Sequence, residues 1–321
     1  MMTTLDKLVF VARLLLYRLL RFTQRVTRGS PSSDRPTPEL LALNKFFRGN
    51  KRRVSSAYDL VDMRKELCSD SALERSSKIE SFGKFSLEWR GNPQGARLIL
   101  AVPGGGFFLP PMDHHRSFLD RVGSRFDARI AIVRHRLSPE TPFPAAYDDV
   151  LAALDIVLSS TQYRRVDAIA DSSGGALLLS AMMARRNQEM TLPTRVVLCS
   201  PATDFAMTGL SNVNNAENDP MFGPQALIHK AFHYLQGANP TDIRVSPLWG
   251  AAQGLPPLLM FAGSGEVMLD DTLRFAEKVR AAGGKVDTSI YEEAPHCFVY
   301  MAGIPEAEDA FREVCNFISD S

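Results

Sequence analysis

The chain has 321 residues, of which 45% are hydrophobic and 23% charged, a balance that excludes a disordered or low-complexity protein and allows one large domain or two ordinary ones. A formal net charge of +1 carries no electrostatic footprint for nucleic acid. Cys68, Cys199, Cys297 and Cys315 are far apart with no CxxC pair, so neither structural zinc nor a disulfide framework is expected, and the thiols read as reduced and mostly buried.

The charge is uneven. Residues 1–28 carry Lys7, Arg13, Arg18, Arg21, Arg25 and Arg28 against Asp6. Leu8 to Phe22 is mostly apolar, but its arginines keep any run well short of the ~20 residues of a spanning helix. No small-residue cleavage site follows a clean apolar core, so a removed signal peptide is not expected. On a helix, Lys7, Arg18, Arg21, Arg25 and Arg28 share one sector of about 80°. Such a stripe suits a helix lying on an anionic membrane surface through residues 5–28; the alternative is a helix packed on the protein's own body. The expected setting is cytoplasmic, with any membrane contact peripheral, and oligomeric state stays open.

Gly29 to Pro36 is the clearest linker, and residues up to about 75 are mixed and charged, with helical text. Strand-like runs follow at Phe85–Trp89, Arg97–Val102, Arg129–Val133, Val166–Ile169, Val196–Cys199, Leu258–Phe261 and Val286–Tyr291. Helical patterns lie between many of them, at Ala145–Leu158, Ala176–Arg186 and Thr272–Ala282. This alternation predicts an α/β fold with a mostly parallel central sheet covered on both faces. Residues 205–250 break it, with helical text at Gln225–Tyr234, and read as an insertion over the carboxyl edge of the sheet. The expected organisation is an N-terminal segment 1–75 and a main domain 76–321 that carries this insertion.

Ala170-Asp171-Ser172-Ser173-Gly174-Gly175 places a serine between small residues, after one apolar run and before a helical one. A strand that turns sharply into a helix exposes such a hydroxyl and aims the free N–H groups of the helix at any oxyanion formed there. A serine becomes a nucleophile only with an oriented base. His296, in the loop after Val286–Tyr291, is the best placed of six histidines; His114 and His115 follow a glycine-rich loop and could line the same cleft, whereas His135, His229 and His233 read as structural or cap-borne. The orienting acid belongs after the Leu258–Phe261 run, where both Glu266 and Asp270 qualify. Asp270 and Asp271 have another role open to them at the start of the following helix, so Glu266 is preferred. Pro103-Gly104-Gly105-Gly106 offers consecutive unhindered amides after a strand, suited to an oxyanion; GxxxxGK[ST] and GxGxxG before a helix are both absent.

These motifs, in this order, resemble the hormone-sensitive-lipase-like branch of the α/β-hydrolases, the bacterial esterase/lipase family IV. Pro103–Gly106 matches that family's His-Gly-Gly-Gly loop, and His135-Arg136-Leu137-Ser138-Pro139-Glu140 its Tyr-Arg-Leu-Ala-Pro-Glu segment, continued by Pro142–Asp149. Ala170–Gly175 matches the Gly-Asp-Ser-Ala-Gly-Gly elbow, Ser200–Asp204 the next strand end, Gly265–Asp271 the acid loop, and Ala294–Phe298 the histidine loop. The resemblance covers roughly residues 80–321. It implies an α/β-hydrolase fold in which residues 76–321 form the catalytic domain and the N-terminal segment 1–75 and the insertion 205–250 form a cap, and a serine carboxylesterase acting through an acyl-enzyme on esters of short-to-medium acyl chains. Ser172 would be the nucleophile, His296 the base, Glu266 the acid, and the N–H groups of Gly105, Gly106 and Ser173 the oxyanion hole. No metal or cofactor is implied, and the partner is a small-molecule or lipid ester. Two other readings stand beside it: a catalytically weak or inactive ligand-binding protein on the same fold, and a lipid ester hydrolase working at a membrane surface. Pro103 stands where the family has a histidine that anchors the loop by hydrogen bonding, and Ala170 where it has the first elbow glycine.

Overall fold

The computed structural model describes residues 36–55, 60–68 and 71–319. The basic stretch 5–28 therefore lies outside the described residues. Three helices come first: α1 (Pro38–Ser55), α2 (Leu60–Leu67) and α3 (Ala72–Arg75). Then follow β1 (Lys78–Ser81), β2 (Ser86–Gly91), β3 (Arg97–Val102), α4 (Asp113–Phe126), β4 (Arg129–Arg134), α5 (Ala145–Leu158), β5 (Arg165–Asp171), α6 (Ser172–Asn187) and β6 (Val196–Cys199). The segment after β6 holds α7 (Ser211–Asn214), α8 (Pro224–Leu235) and a 3₁₀ turn at Pro247–Trp249. The chain continues with β7 (Leu258–Gly263), α9 (Leu269–Ala281), β8 (Val286–Tyr291), a 3₁₀ turn at Phe298–Tyr300 and α10 (Pro305–Ser319).

The strands form one eight-stranded sheet in the order β1-β2-β4-β3-β5-β6-β7-β8. β1 and β2 pair antiparallel at one edge, and every pairing from β4 to β8 is parallel. The central strands are apolar on both faces because helices cover both faces. Alternation sorts their side chains cleanly. Leu98, Leu100 and Val102 pack with α5, α6 and α9 on one side, while Ile99 and Ala101 pack with α1, α4 and α10 on the other.

The runs anticipated from the sequence all appear as strands with ends shifted by at most two residues, and α5, α6, α8 and α9 occupy the anticipated helical stretches. α6 starts four residues earlier than expected, at Ser172 itself. β1 was not anticipated, because its four side chains are all exposed and carry no apolar pattern. Nor were α4 and α10. Among the described residues, no helix is long and apolar enough to cross a membrane.

Chain direction fixes where chemistry can be built. From β3 the path moves outward to β4, and β5 then returns to the other side of β3. The strand order reverses between β3 and β5, and in parallel sheets the crevice outside the carboxyl ends at such a point is where ligands bind. The glycine loop leaves β3 there, and Ser172 follows β5.

Candidate active site

Asp171 ends β5 in extended geometry, and Ser172 then adopts φ +48°, a left-handed conformation that a residue with a side chain adopts only under constraint. The constraint is visible on both sides. The Ser172 carbonyl accepts a 3.0 Å bond from the N–H of Ala202. Gly174 lies so close to the end of β3 that a Cβ there would come within 2.7 Å of the Pro103 carbonyl. Ala170 needs no glycine-like freedom: its methyl is buried in the core, opposite Val102 on one neighbour strand and Leu198 on the other.

His296 and Glu266 meet at 2.7 Å, His296 Nδ1 against Glu266 Oε2, both almost fully buried. The other carboxylate oxygen, Oε1, accepts from the Ser200 hydroxyl at 2.7 Å and from the Gly263 N–H at 2.6 Å. Ser200 Oγ in turn accepts the N–H of Cys297 at 3.1 Å. One hydroxyl at the end of β6 thus ties the acid loop to the histidine loop. The Phe222 ring stands edge-on to the imidazole, with centroids 5.1 Å apart.

Asp270 is placed elsewhere. Its Oδ2 accepts the Ser211 N–H at 3.0 Å, at the start of α7. Asp271 Oδ2 accepts the N–H groups of Thr203 at 2.6 Å and Asp204 at 2.8 Å. Both acids sit in the first turn of α9, at its positive end, but their side chains bind neighbouring loops and do not cap the helix. Burial pushes the Asp271 carboxyl up to about 7.

The glycine loop turns through φ +135° at Gly105, +59° at Gly106 and +66° at Phe107. Among the described residues, the N–H groups of Gly105 and Gly106 donate to no protein acceptor. The Ser173 N–H lies in the first turn of α6, where no intrahelical acceptor exists. The anchoring expected of a family histidine comes from other residues, since Pro103 has no group for it. Arg64, from α2, donates from Nε to the Phe108 carbonyl at 2.6 Å and from Nη2 to the Ser138 carbonyl at 2.6 Å. Glu140 holds the same guanidinium with two contacts of 2.8 and 2.9 Å. The Ser138 N–H donates to the Phe107 carbonyl at 2.9 Å, and Ser173 Oγ accepts the Phe107 N–H at 3.3 Å. Sequence reasoning missed Arg64 and Ser200, whose partners lie 44 to 97 residues away.

These parts open into one cleft of about 450 Å³, lined by Gly104–Gly106, Ser172, Ser173 and His296. Phe47, Met63 and Leu67 reach it from the N-terminal helices, and Met207, Phe222, Leu227 and Lys230 from the segment after β6. His114 and His115 line it as well, His114 exposed and His115 buried. His115 Nε2 lies 3.5 Å from Asp171 Oδ1 and 3.2 Å from His114 Nε2. Enclosure in the cleft, with His115 beside it, pulls the His114 imidazole below its ordinary value. Burial alone would raise the Asp171 carboxyl; the facing His115 outweighs it and holds Asp171 below its usual range. His135, His229 and His233 line no part of this cleft: His135 Nδ1 contacts the Arg136 carbonyl at 2.8 Å, and the other two lie 3.2 Å apart on α8.

A family profile described as alpha/beta hydrolase fold matches residues 99–300. An esterase of Acinetobacter venetianus is 33% identical over 235 residues, 72% of this chain and 77% of its own. The chain belongs to the hormone-sensitive-lipase-like branch of the α/β-hydrolases. An acetyl-hydrolase of Streptomyces hygroscopicus is 32% identical over 75% of this chain and 81% of its own. Among solved structures, the esterase EstE5 superposes with a TM-score of 0.80 at 30% identity, over 88% of this chain and 97% of its own. A hormone-sensitive lipase from a metagenome library superposes with a TM-score of 0.76 at 26% identity, over 86% and 97%. The α/β-hydrolase is therefore a carboxylesterase- or lipase-like hydrolase, as its sequence motifs lead one to expect.

Proposed function

We propose that this hydrolase cleaves carboxylic esters of short-to-medium acyl chains with Ser172 as nucleophile, His296 as base and Glu266 as acid. The observation that carries this is the buried 2.7 Å contact of Glu266 with His296 Nδ1, beside a serine held at φ +48°. With its Nδ1 proton donated to Glu266, His296 has Nε2 free to accept the Ser172 proton. Ser172 Oγ then bonds to the ester carbonyl carbon. The oxyanion so formed takes hydrogen bonds from the N–H groups of Gly105, Gly106 and Ser173. The ester C–O bond breaks, and His296 returns the proton to the departing alkoxide, giving the alcohol and an acyl-Ser172. Water attacks that acyl group, with His296 taking its proton and passing it to Ser172 Oγ as the acid leaves.

The N-terminal helices and residues 205–250 form the cap in this reading, since both supply walls of the cleft. The volume of the cleft is at the modest end of small-molecule sites, which supports acyl chains of limited length. Four free thiols suit a reducing, cytoplasmic setting. The basic stripe of residues 5–28 supports peripheral contact with anionic lipid, and vesicle co-sedimentation of a chain lacking residues 1–28 tests that part.

A fluorophosphonate probe labels the wild-type protein at Ser172 and leaves Ser172→Ala unlabelled. A panel of p-nitrophenyl acetate, butyrate, octanoate and palmitate gives turnover that falls at the longest chain. A folded wild-type protein that is neither labelled nor active on any of the four is a ligand-binding protein, and the hydrolase reading is then wrong.

A further inference from the structure

One charged side chain in the cleft has no part in the chemistry above. Lys230, on α8, is the only lysine or arginine among the described residues lining it. The cleft's acids are already engaged: Asp204 with Arg274 at 3.0 Å, Asp271 with two backbone N–H groups, and Asp171 with His115. Lys230 makes no hydrogen bond or ion pair with any described residue. Its ammonium lies 5.7 Å from the centre of the Phe108 ring and 4.4 Å from that of Phe222. Its stem runs along the glycine loop, where a Cβ on Gly106 would come within 3.2 Å of Lys230 Cδ. Phe222 is also the ring against His296. The cation thus shares the Phe222 ring with the imidazole, and its stem passes directly beside the glycine loop.

An aromatic face attracts a cation but does not neutralise it. A partly desolvated ammonium without a counter-charge is costly unless something occupying the cleft supplies one. We propose that Lys230 is the anion-binding residue of the substrate pocket, and that the preferred substrates are esters carrying a carboxylate or similar anion a few bonds from the scissile carbonyl. This rests on the ester-hydrolase reading and narrows its substrate class. Burial pulls the Lys230 amine down to about 8, which leaves it mostly protonated at neutral pH and favours charge pairing with a ligand.

Two matched pairs of esters test the proposal, followed by acid release in a pH-stat at pH 7. Monoethyl succinate against ethyl levulinate puts the charge on the acyl side, and O-acetylglycolate against acetoxyacetone puts it on the alcohol side. In each pair a carboxylate replaces a methyl ketone of similar shape. The expected result is a wild-type kcat/KM ratio, charged over neutral, above one in at least one pair, and that pair names the side. Lys230→Met lowers the same ratio by about tenfold or more, the loss of one charge-assisted contact, while Lys230→Arg retains it. A ratio that Lys230→Met leaves unchanged in both pairs overturns the proposal. So does a wild-type ratio below one in both, whatever the variants do. Activity on p-nitrophenyl butyrate in the same preparations keeps failure of this proposal distinct from failure of the hydrolase reading.

Discussion

Replacing Glu266 with glutamine tests the assignment of the acid with little change of shape. In the native protein Oε1 receives two donors, the Ser200 hydroxyl at 2.7 Å and the Gly263 N–H at 2.6 Å. A glutamine must keep its oxygen at that position, because an amide N–H there would face two donors. Its NH₂ therefore points at His296 Nδ1, which changes from donor to acceptor. The imidazole proton moves to Nε2, where it blocks acceptance of the Ser172 proton. Packing is preserved, yet the base is in the wrong tautomer, a change that costs about 10⁴-fold in kcat where the orienting acid of a serine triad is made an amide. That is roughly 5.5 kcal/mol of barrier. Initial rates on p-nitrophenyl butyrate, with Ser172→Ala as the blank and thermal melting as the check on folding, measure it. Asp270→Asn is the control: its carboxylate holds the Ser211 N–H and not the imidazole, so kcat changes by less than about threefold. A folded Glu266→Gln protein losing less than about tenfold refutes the reasoning, and a large loss in Asp270→Asn transfers the role to that residue.

Three further outcomes follow from the same contacts. Arg64→Met removes two 2.6 Å bonds to the Phe108 and Ser138 carbonyls, so the glycine loop loses its brace and kcat falls by about tenfold with KM little changed; an unchanged kcat beside a lowered Tm would assign Arg64 to stability alone. Gly174→Ala puts a methyl within 2.7 Å of the Pro103 carbonyl, forcing α6 away from β3 and separating Ser173 from Gly105; kcat drops at least about tenfold, and full activity contradicts the proposed oxyanion hole. Glu88 is fully buried, with Arg116 at 2.7 and 2.9 Å, Arg134 at 3.2 Å and Ser77 at 2.7 Å, so Glu88→Gln strips Arg116 of its buried counter-charge and leaves it the more exposed Asp113 at 3.3 Å and Glu74 at 3.8 Å. That costs about 3 kcal/mol, or roughly 5 °C in Tm for a chain of this size. Burial alone would raise the Glu88 carboxyl, but Arg116, Ser77 and Arg134 together outweigh it and hold Glu88 below its ordinary value of 4.5. Its contribution is therefore complete above that value and is lost as pH falls through the lower, folded-state pKa. Wild-type and Glu88→Gln melting temperatures converge on acidification; a gap that persists undiminished at pH 2 contradicts the electrostatic account.

What was legible in the sequence is what local chemistry decides. A strand buried on both faces is mostly apolar, so β3, β4, β5, β6 and β7 announce themselves, β5 despite the buried, ion-paired Asp167. β1 has four exposed side chains and is held by backbone pairing to β2, a contact that leaves no apolar pattern. α10 did carry a readable signal, with Pro305 at its start and Ala307, Ala310, Val314 and Ile318 spaced for one buried face. α4 was harder, because its buried face includes His115 and the ion-paired Arg116.

The site divides along the same line. Ser172, Glu266 and His296 were visible because each sits one short loop beyond a parallel strand, and the sheet itself brings those loops together. Their supports were not. Ser200 acts on Glu266 and Cys297 from β6, and Arg64 reaches Phe108 and Ser138 from a helix outside the sheet. A serine and an arginine are common residues, and nothing in their neighbours along the chain distinguishes a brace from a solvated side chain. Pro103 was the one local clue. A loop that has lost its own anchoring side chain must be held from elsewhere if its N–H groups are to stay aimed at an oxyanion. Arg64 meets that need with a planar guanidinium that can bond two carbonyls and a carboxylate at once, which a single imidazole cannot. In this chain the positioning of the glycine loop is thereby coupled to a wall of the cleft, since the helix that carries Arg64 also presents Met63 and Leu67 to it.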